Sequence, residues 1–294
     1  PNGAALWPAL ARRAHGAPIV LHWHADVRFP SDKSPPAPLL ACWRLLEALV
    51  LRQADAIIAT SQAYLDASPA LAPHRAKCRV TPLGLAEPPE PPDPGPEDAG
   101  HPALRFLDSR SGLRVLAVGR LAHYKGFDVL LEALRAAPSA SLCLVGEGEE
   151  RATLAALAAI PDLAGRVHLA GAVPDAVLDA CYRRSHVLCL PSLTRSEAFG
   201  VVLLEAMSRG VPCLAANVPG SGMAEVLDQG RAGLLVSPGS AQELAAGLNR
   251  LASAPALRQR LAQAGRDRFV ARYAMPLVAR DIRAVYEQAL TDAD

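Results

Sequence analysis

Residues 187–211 read VLCLPSLTRSEAFGVVLLEAMSRGV, and the rest of the chain is organised around them. The pattern predicts a short apolar strand at 187–190, a polar loop closing on Ser196 and Glu197, and a helix over about 199–209. Pro191 and Gly210 mark two of the boundaries. The helix is apolar almost all round (Val201, Val202, Leu203, Leu204, Ala206, Met207), the pattern of a buried helix. Glu205 stands inside that run, where a carboxylate is costly unless a basic partner or a ligand hydroxyl pairs with it. Glu197 lies eight residues earlier. Eight residues of helix would separate the carboxylates by about 12 Å and rotate them by roughly 80°, so they would share neither a proton nor a metal. They could hold hydroxyls at two ends of a long ligand whose anionic middle faces the free N–H groups of Gly200, Val201 and Val202. The plainer alternative makes Glu197 a helix N-terminal charge and lets Glu205 reach solvent.

Working outward, strands are expected at 114–118, 141–145, 167–170, 187–190, 212–215 and 233–236. Helices are expected between and after them, at 127–136, 150–159, 175–184, 199–209, 222–228 and 241–252. Such alternation implies a parallel sheet covered on both faces, with ligands beyond the strand carboxyl ends. The turn at 118–127, VGRLAHYKGF, is neither a Walker loop nor a G-x-G-x-x-G turn. Its two cations five apart, Arg120 and Lys125, suit a diphosphate, with a surface ion pair as the plainer alternative. At 145–150, Arg151 stands where a dinucleotide turn would require a third glycine.

Upstream, the Pro-rich run AEPPEPPDPGPEDAGHP at 86–102 reads as a stiff extended linker. Before it come an expected helix at 2–14, a strand at 18–23, a strongly apolar helix at 39–53, a strand at 56–59, a helix capped by Ser61 and a strand at 78–82. The helix at 39–53 belongs to the core or lies near a membrane surface, and the missing basic stripe weighs against the latter. His22, His24 and Asp26 form H-x-H-x-D, which resembles the start of a metallo-hydrolase site, but Val27 stands where a further His is expected and the other histidines form no ligand cluster. The 294 residues are 51% hydrophobic and 20% charged, enough for two compact domains. A net charge of +1 gives no basic field for a nucleic-acid partner. Six scattered cysteines without a C-x-x-C pair point to packing roles in a reducing compartment.

The E-x7-E spacing from Glu197 to Glu205, with Phe199-Gly200 between, resembles the donor-site signature of the retaining GT-B glycosyltransferases of the large family four (glycosyl transferases group 1). G-R-L-x-x-x-K-G at 119–126 and the Gly-rich turn at 145–150 are similar to further landmarks, in the same order. The resemblance implies an α/β fold of GT-B type, two Rossmann-like domains facing a cleft, the N-terminal one incomplete. Its parts would be a partial N-terminal acceptor-side domain at 1–85, the linker at 86–102, a nucleotide-sugar domain at 103–272, and a helix at 273–294 packing back towards the first domain. In that helix Val278, Ile282, Val285 and Leu290 would face inward. Members carry two or three more strands and a Gly-rich loop before the position of Asn2, so the sequence would be N-terminally truncated; it begins with Pro1 rather than Met.

By the same resemblance Glu197 and His24 would contact the transferred sugar, Arg120 and Lys125 would clamp the diphosphate beside Gly119, and Glu205 would hold the ribose. The amides of Phe199, Gly200 and Val201 would approach sugar and diphosphate, with the Gly146 turn nearby and Gly171 and Val173 meeting the base. The loop at 217–223 would line the donor side, with Glu225 structural. The implied reaction is transfer of a hexose, mannose favoured, from a GDP-sugar or UDP-sugar to a glycan or lipid-linked acceptor, with retention, no cofactor and no metal. The implied place is the cytoplasm, with peripheral contact at the inner membrane face. Two alternatives stand beside it: an inactive nucleotide-sugar-binding relative, and a metal-dependent hydrolase using His22, His24 and Asp26.

Overall fold

A computed structural model describes residues 16–27, 35–88 and 100–292; the expected helix at 2–14 and most of the Pro-rich run lie outside them. The first sheet is parallel and three-stranded, in the order β1 (Val20–Trp23), β2 (Ala56–Ala59), β3 (Cys78–Val80), with Val20 opposite Ala56 and Ile57 opposite Cys78. Helix α1 (Ala37–Gln53) connects β1 to β2, and α2 (Gln62–Ala67) leads towards β3. Trp23, Leu51, Ile57, Tyr64 and Leu71 fill the core of this half. Only the end of α1 belongs to that core: Val50 and Leu51 are buried, whereas Leu39 and Leu45 are 60% and 73% exposed.

The second sheet is parallel and six-stranded, in the order β6-β5-β4-β7-β8-β9. Its strands are β4 (Leu113–Val118), β5 (Ala140–Val145), β6 (Val167–Gly171), β7 (Val187–Leu190), β8 (Cys213–Ala216) and β9 (Leu234–Val236). Period-two alternation sends neighbouring residues to opposite faces. Leu116, Val118, Leu188 and Leu190 join one core layer, and Val115, Ala117, Val187 and Cys189 the other. Both faces are therefore dry, which is why these strands read as unbroken apolar runs rather than alternating ones.

The helices of this half are α3 (Pro102–Asp108), α4 (Phe127–Arg135), α5 (Arg151–Ala158), α6 (Asp175–Arg184), α7 (Val201–Ser208), α8 (Met223–Val226), α9 (Ala241–Ser253) and α10 (Pro255–Arg272). Two of them were not expected. Helix α3 begins at Pro102, inside the last residue of the expected linker, capped by His101. Helix α10 buries Leu257, Leu261, Gly265 and Phe269, a stripe at intervals of four. That spacing, with Pro255 in the first turn, is the signal that would have revealed it. After α10 the chain returns to the first half: Leu85 N–H donates to Tyr273 O and Met275 N–H to Leu85 O, at 2.9 and 3.0 Å. Helix α11 (Met275–Thr291) then lies against β1 and β2. Val278 packs so closely on Gly84 that a Cβ there would sit 2.8 Å from the valine Cβ. The expected inward position of Leu290 is not met; it is 57% exposed, and Ala289 is buried in its place.

Candidate active site

Strand β4 lies beside both β5 and β7, and the chain leaves it in one direction and returns on the other side. Their carboxyl ends therefore open a crevice at a topological switch point, the usual ligand position in a parallel sheet. The β4 loop supplies Gly119 and Lys125, and the β7 loop supplies Ser192 and Glu197. The two loops are tied by Leu193 N–H donating to Tyr124 O at 2.7 Å. Across the crevice, Lys125 Nζ is 2.6 Å from Glu197 Oε2, with the side chains 9% and 12% exposed. The Ser192 hydroxyl donates to the same oxygen at 3.2 Å, and the Ser221 hydroxyl donates to the Glu197 carbonyl at 2.6 Å. An ammonium has three donors, so Lys125 keeps hydrogen-bonding capacity for a ligand. Gly119 keeps the space clear: at its φ of 148°, an added Cβ would lie 3.1 Å from Lys125 Nζ.

Gly119 N–H donates to Val145 O, and Gly146 N–H donates to Gly171 O, so the turns ending β4, β5 and β6 form one continuous rim. A Cβ at Gly146 would fall on the Gly119 carbonyl, 1.9 Å from its oxygen. Val173, just beyond Gly171, is half-buried against the core. On the other flank, Gly200 caps α7 with φ 81°, and no side chain caps the first N–H groups of that helix. The helix starts at Val201, two residues later than expected. Phe199 is buried edge-on to Tyr273, with ring centroids 6.1 Å apart. Val201 is 39% exposed. Glu205 is half-buried, and its Oε2 accepts the Tyr182 hydroxyl at 2.5 Å.

Two sequence-expected residues stand apart. Arg120 is 69% exposed and paired with Glu149 at 3.1 Å, rather than turned to Lys125 and Glu197. His24 is exposed on the first half, its ring 6.2 Å from that of His22. Both histidines line a cavity of about 230 Å³ with Thr60, Thr81 and Val278. His22 Nε2 is 2.8 Å from the Tyr286 hydroxyl, and its pKa is lowered by burial and then by His24. Asp26 turns elsewhere: Oδ1 accepts the Ser68 hydroxyl at 2.6 Å and Trp23 Nε1–H at 3.0 Å. Among the described residues no group of three His, Cys, Asp or Glu could hold a metal ion.

Of the residues that join the halves, Arg195 escaped the sequence reading, while Asp26 and Glu225 were named there without their partners. Arg195, in the loop before Glu197, is buried over the Tyr64 ring at 4.4 Å and donates to Ala67 O. Its Nη2 is 3.2 Å from Asp26 Oδ2, an ion pair by distance whose angle gives Oδ2 no hydrogen bond. Glu225 places its two carboxylate oxygens on Gln62 N–H at 3.2 Å and Ala63 N–H at 2.5 Å, at the start of α2. Asp26 and Ser61 follow β1 and β2, and Arg195 and Gly222 follow β7 and β8. The carboxyl ends of the two sheets therefore face one another.

Comparison with known proteins gives this geometry a setting. Residues 1–84 match a glycosyl transferase 4-like domain. D-rhamnosyltransferase WbpZ of Pseudomonas aeruginosa is 32% identical over 221 residues, 75% of this chain and 54% of that protein. A phosphatidyl-myo-inositol mannosyltransferase of Mycobacterium leprae is 34% identical over 201 residues, 67% of this chain and 50% of that one. The chain thus spans about half the length of these relatives. Anabaena HepE in complex with UDP superposes with a TM-score of 0.80 at 23% identity, covering 97% of this chain and 76% of that one. Sucrose-phosphate synthase from Thermosynechococcus elongatus gives 0.77 at 25% identity, over 98% and 72%. The two facing parallel sheets are accordingly a GT-B fold. Residues 110–268, which carry Lys125, Glu197, Glu205 and the glycine rim, match the glycosyl transferases group 1, and the chain belongs to that family.

Proposed function

We propose that this chain carries the donor-binding machinery of a glycosyltransferase that moves a hexose from a nucleoside diphosphate sugar to an acceptor hydroxyl, with retention at the anomeric carbon. The observation that carries the reading is the buried Lys125–Glu197 pair at the β4–β7 switch point, beside the open start of α7. A leaving diphosphate gathers negative charge, and the chief catalytic need is to stabilise it. Lys125 and the first amides of α7 supply positive potential for that without a metal. Glu197, held by Lys125 and Ser192, orients the sugar through its second oxygen. With Lys125 and Ser192 both on Oε2, it acts as an acceptor for sugar hydroxyls rather than as a covalent nucleophile. Glu205 holds the ribose. Arg120 reaches the diphosphate only by leaving Glu149, which its exposure makes inexpensive. His24 serves the sugar from the facing half.

Mannose is the favoured sugar, since D-rhamnose is 6-deoxymannose and the two relatives above are named for rhamnosyl and mannosyl transfer. GDP is the favoured base and UDP the competitor. The acceptor is a glycan or lipid-linked glycan met at the inner membrane face. No helix among the described residues is long and apolar enough to cross a membrane, and contact there would be peripheral. Calorimetric titration with GDP and UDP in EDTA, beside Lys125→Ala, tests the reading. Saturable binding weakened at least tenfold by the substitution supports it, and the tighter base names the donor. A folded chain that binds neither nucleotide overturns it.

A further inference from the structure

Helix α7 is buried on every side but one. Val201, Val202 and Glu205, with Arg209 just past the helix end, form its less buried stripe, Glu205 lying four and three residues after the valines and four before Arg209, while Leu203, Leu204, Ala206 and Met207 are fully covered. The carboxylate on that stripe would ordinarily recruit a cation. The nearest candidate, Arg209, is committed elsewhere: its Nε is 2.7 Å from Asp179 Oδ1, and its Nη1 donates to the Glu205 carbonyl at 2.9 Å. What meets the Glu205 carboxylate is the hydroxyl of Tyr182 on α6, at 2.5 Å from Oε2. Tyr182 is 1% exposed. Burial and then the Glu205 charge hold its phenol well above the ordinary tyrosine range, so it remains protonated and acts as a donor towards the carboxylate. The ring is clamped by the Arg209 guanidinium 5.1 Å from its centroid. A carboxylate with one oxygen pinned to a buried donor presents its other oxygen to a ligand in a fixed orientation.

We infer that Tyr182 is a positioning residue for ribose recognition, its hydroxyl fixing Glu205 so that the donor site prefers a ribonucleotide to its 2′,3′-dideoxy counterpart. The inference rests on the nucleotide-sugar reading above. Tyr182 would touch no donor atom and would act through Glu205 alone. Replacing it with phenylalanine keeps the packing and removes one oxygen, so the effect falls on discrimination rather than on binding as a whole.

The test is titration of the full chain and of Tyr182→Phe, Glu205→Ala and the double variant with UDP, GDP and their 2′,3′-dideoxy forms. The unaltered chain is expected to prefer the ribonucleotide by about tenfold or more, the scale of a hydrogen bond to a charged group. Tyr182→Phe should cut that preference several-fold, Glu205→Ala should abolish it, and the double variant should match Glu205→Ala. A merely structural tyrosine would weaken both forms equally, and an unchanged preference in Tyr182→Phe overturns the inference. So does a preference that survives Glu205→Ala in a chain shown by circular dichroism to be folded. If the folded, unaltered chain binds neither UDP nor GDP, the nucleotide reading has failed and takes this inference with it. Binding without ribose preference in the unaltered chain refutes the inference alone.

Discussion

Lys125 Nζ lies 2.6 Å from Glu197 Oε2, although 72 residues separate them in the chain and each side chain is about nine-tenths buried. Removing one partner of a buried pair leaves the other charge unpaired and costs about 3–5 kcal/mol, while removing both costs less. Lys125→Ala should therefore be less stable than Lys125→Ala combined with Glu197→Ala. Urea denaturation of the unaltered chain, Lys125→Ala, Glu197→Ala and the double variant checks this, and strictly additive losses would show that the pair is not coupled.

Glu225 reaches across the molecule to cap α2, 162 residues away from Ala63. An acidic group on free helix N–H groups contributes about 1 kcal/mol. Glu225→Ala should lower stability by roughly that amount, up to ~2 kcal/mol, and should accelerate hydrogen exchange at the Gln62 and Ala63 amides. Protection at those two amides that survives the substitution would show that Glu225 does not hold them.

His22, His74, His168 and His186 all have pKa values lowered, burial being the largest cause in each. A histidine whose native pKa is depressed binds fewer protons folded than unfolded, so stability rises with pH through the histidine range. As pH falls below the ordinary value of about 6.5, the unfolded chain takes up protons the native state declines. The urea midpoint should drop from pH 7 to pH 5. His186→Gln should flatten part of that slope; an unchanged slope would remove His186 from the account.

Gly146 and Gly165 both have positive φ, 141° and 72°, but only Gly146 faces a neighbour within reach of a Cβ. Gly165→Ala should cost about 1 kcal/mol for the backbone alone. Gly146→Ala must also push back the Gly119 carbonyl, and it should cost clearly more and distort the rim beside Lys125. Thermal melts with nucleotide titration of both variants separate the two effects. Equal losses would mean that the rim yields freely.

Much of the architecture was legible because its causes are local. Continuous apolar runs broken by Gly and Pro marked the strands of the second sheet to within a residue or two, since a strand buried on both faces has no polar face to show. The glycine turns were legible because they stand at the ends of β4, β5 and β6, and Lys125 and Glu197 because they stand in the loops after β4 and β7; their donor role was an expectation from the resemblance. Helix α10 was missed because its buried stripe is one residue wide, and α3 because it starts on a proline inside a Pro-rich run.

Partner choice is where local pattern stops. Arg120 and Lys125 look equivalent in the sequence, yet one is paired at the surface with Glu149 and the other is buried against Glu197. Nothing near Arg195 announces Asp26, and nothing near Glu225 announces the start of α2. Tyr182 reads as one more core aromatic until its hydroxyl is found on Glu205. The sequence by itself determined which segments are strand or helix and which residues stand at strand ends, because these depend on hydrophobic period and turn chemistry over a few residues. Which charges meet was decided only by the tertiary structure, because each pair is assembled from loops dozens to more than a hundred residues apart, brought together by packing the sheets beneath them.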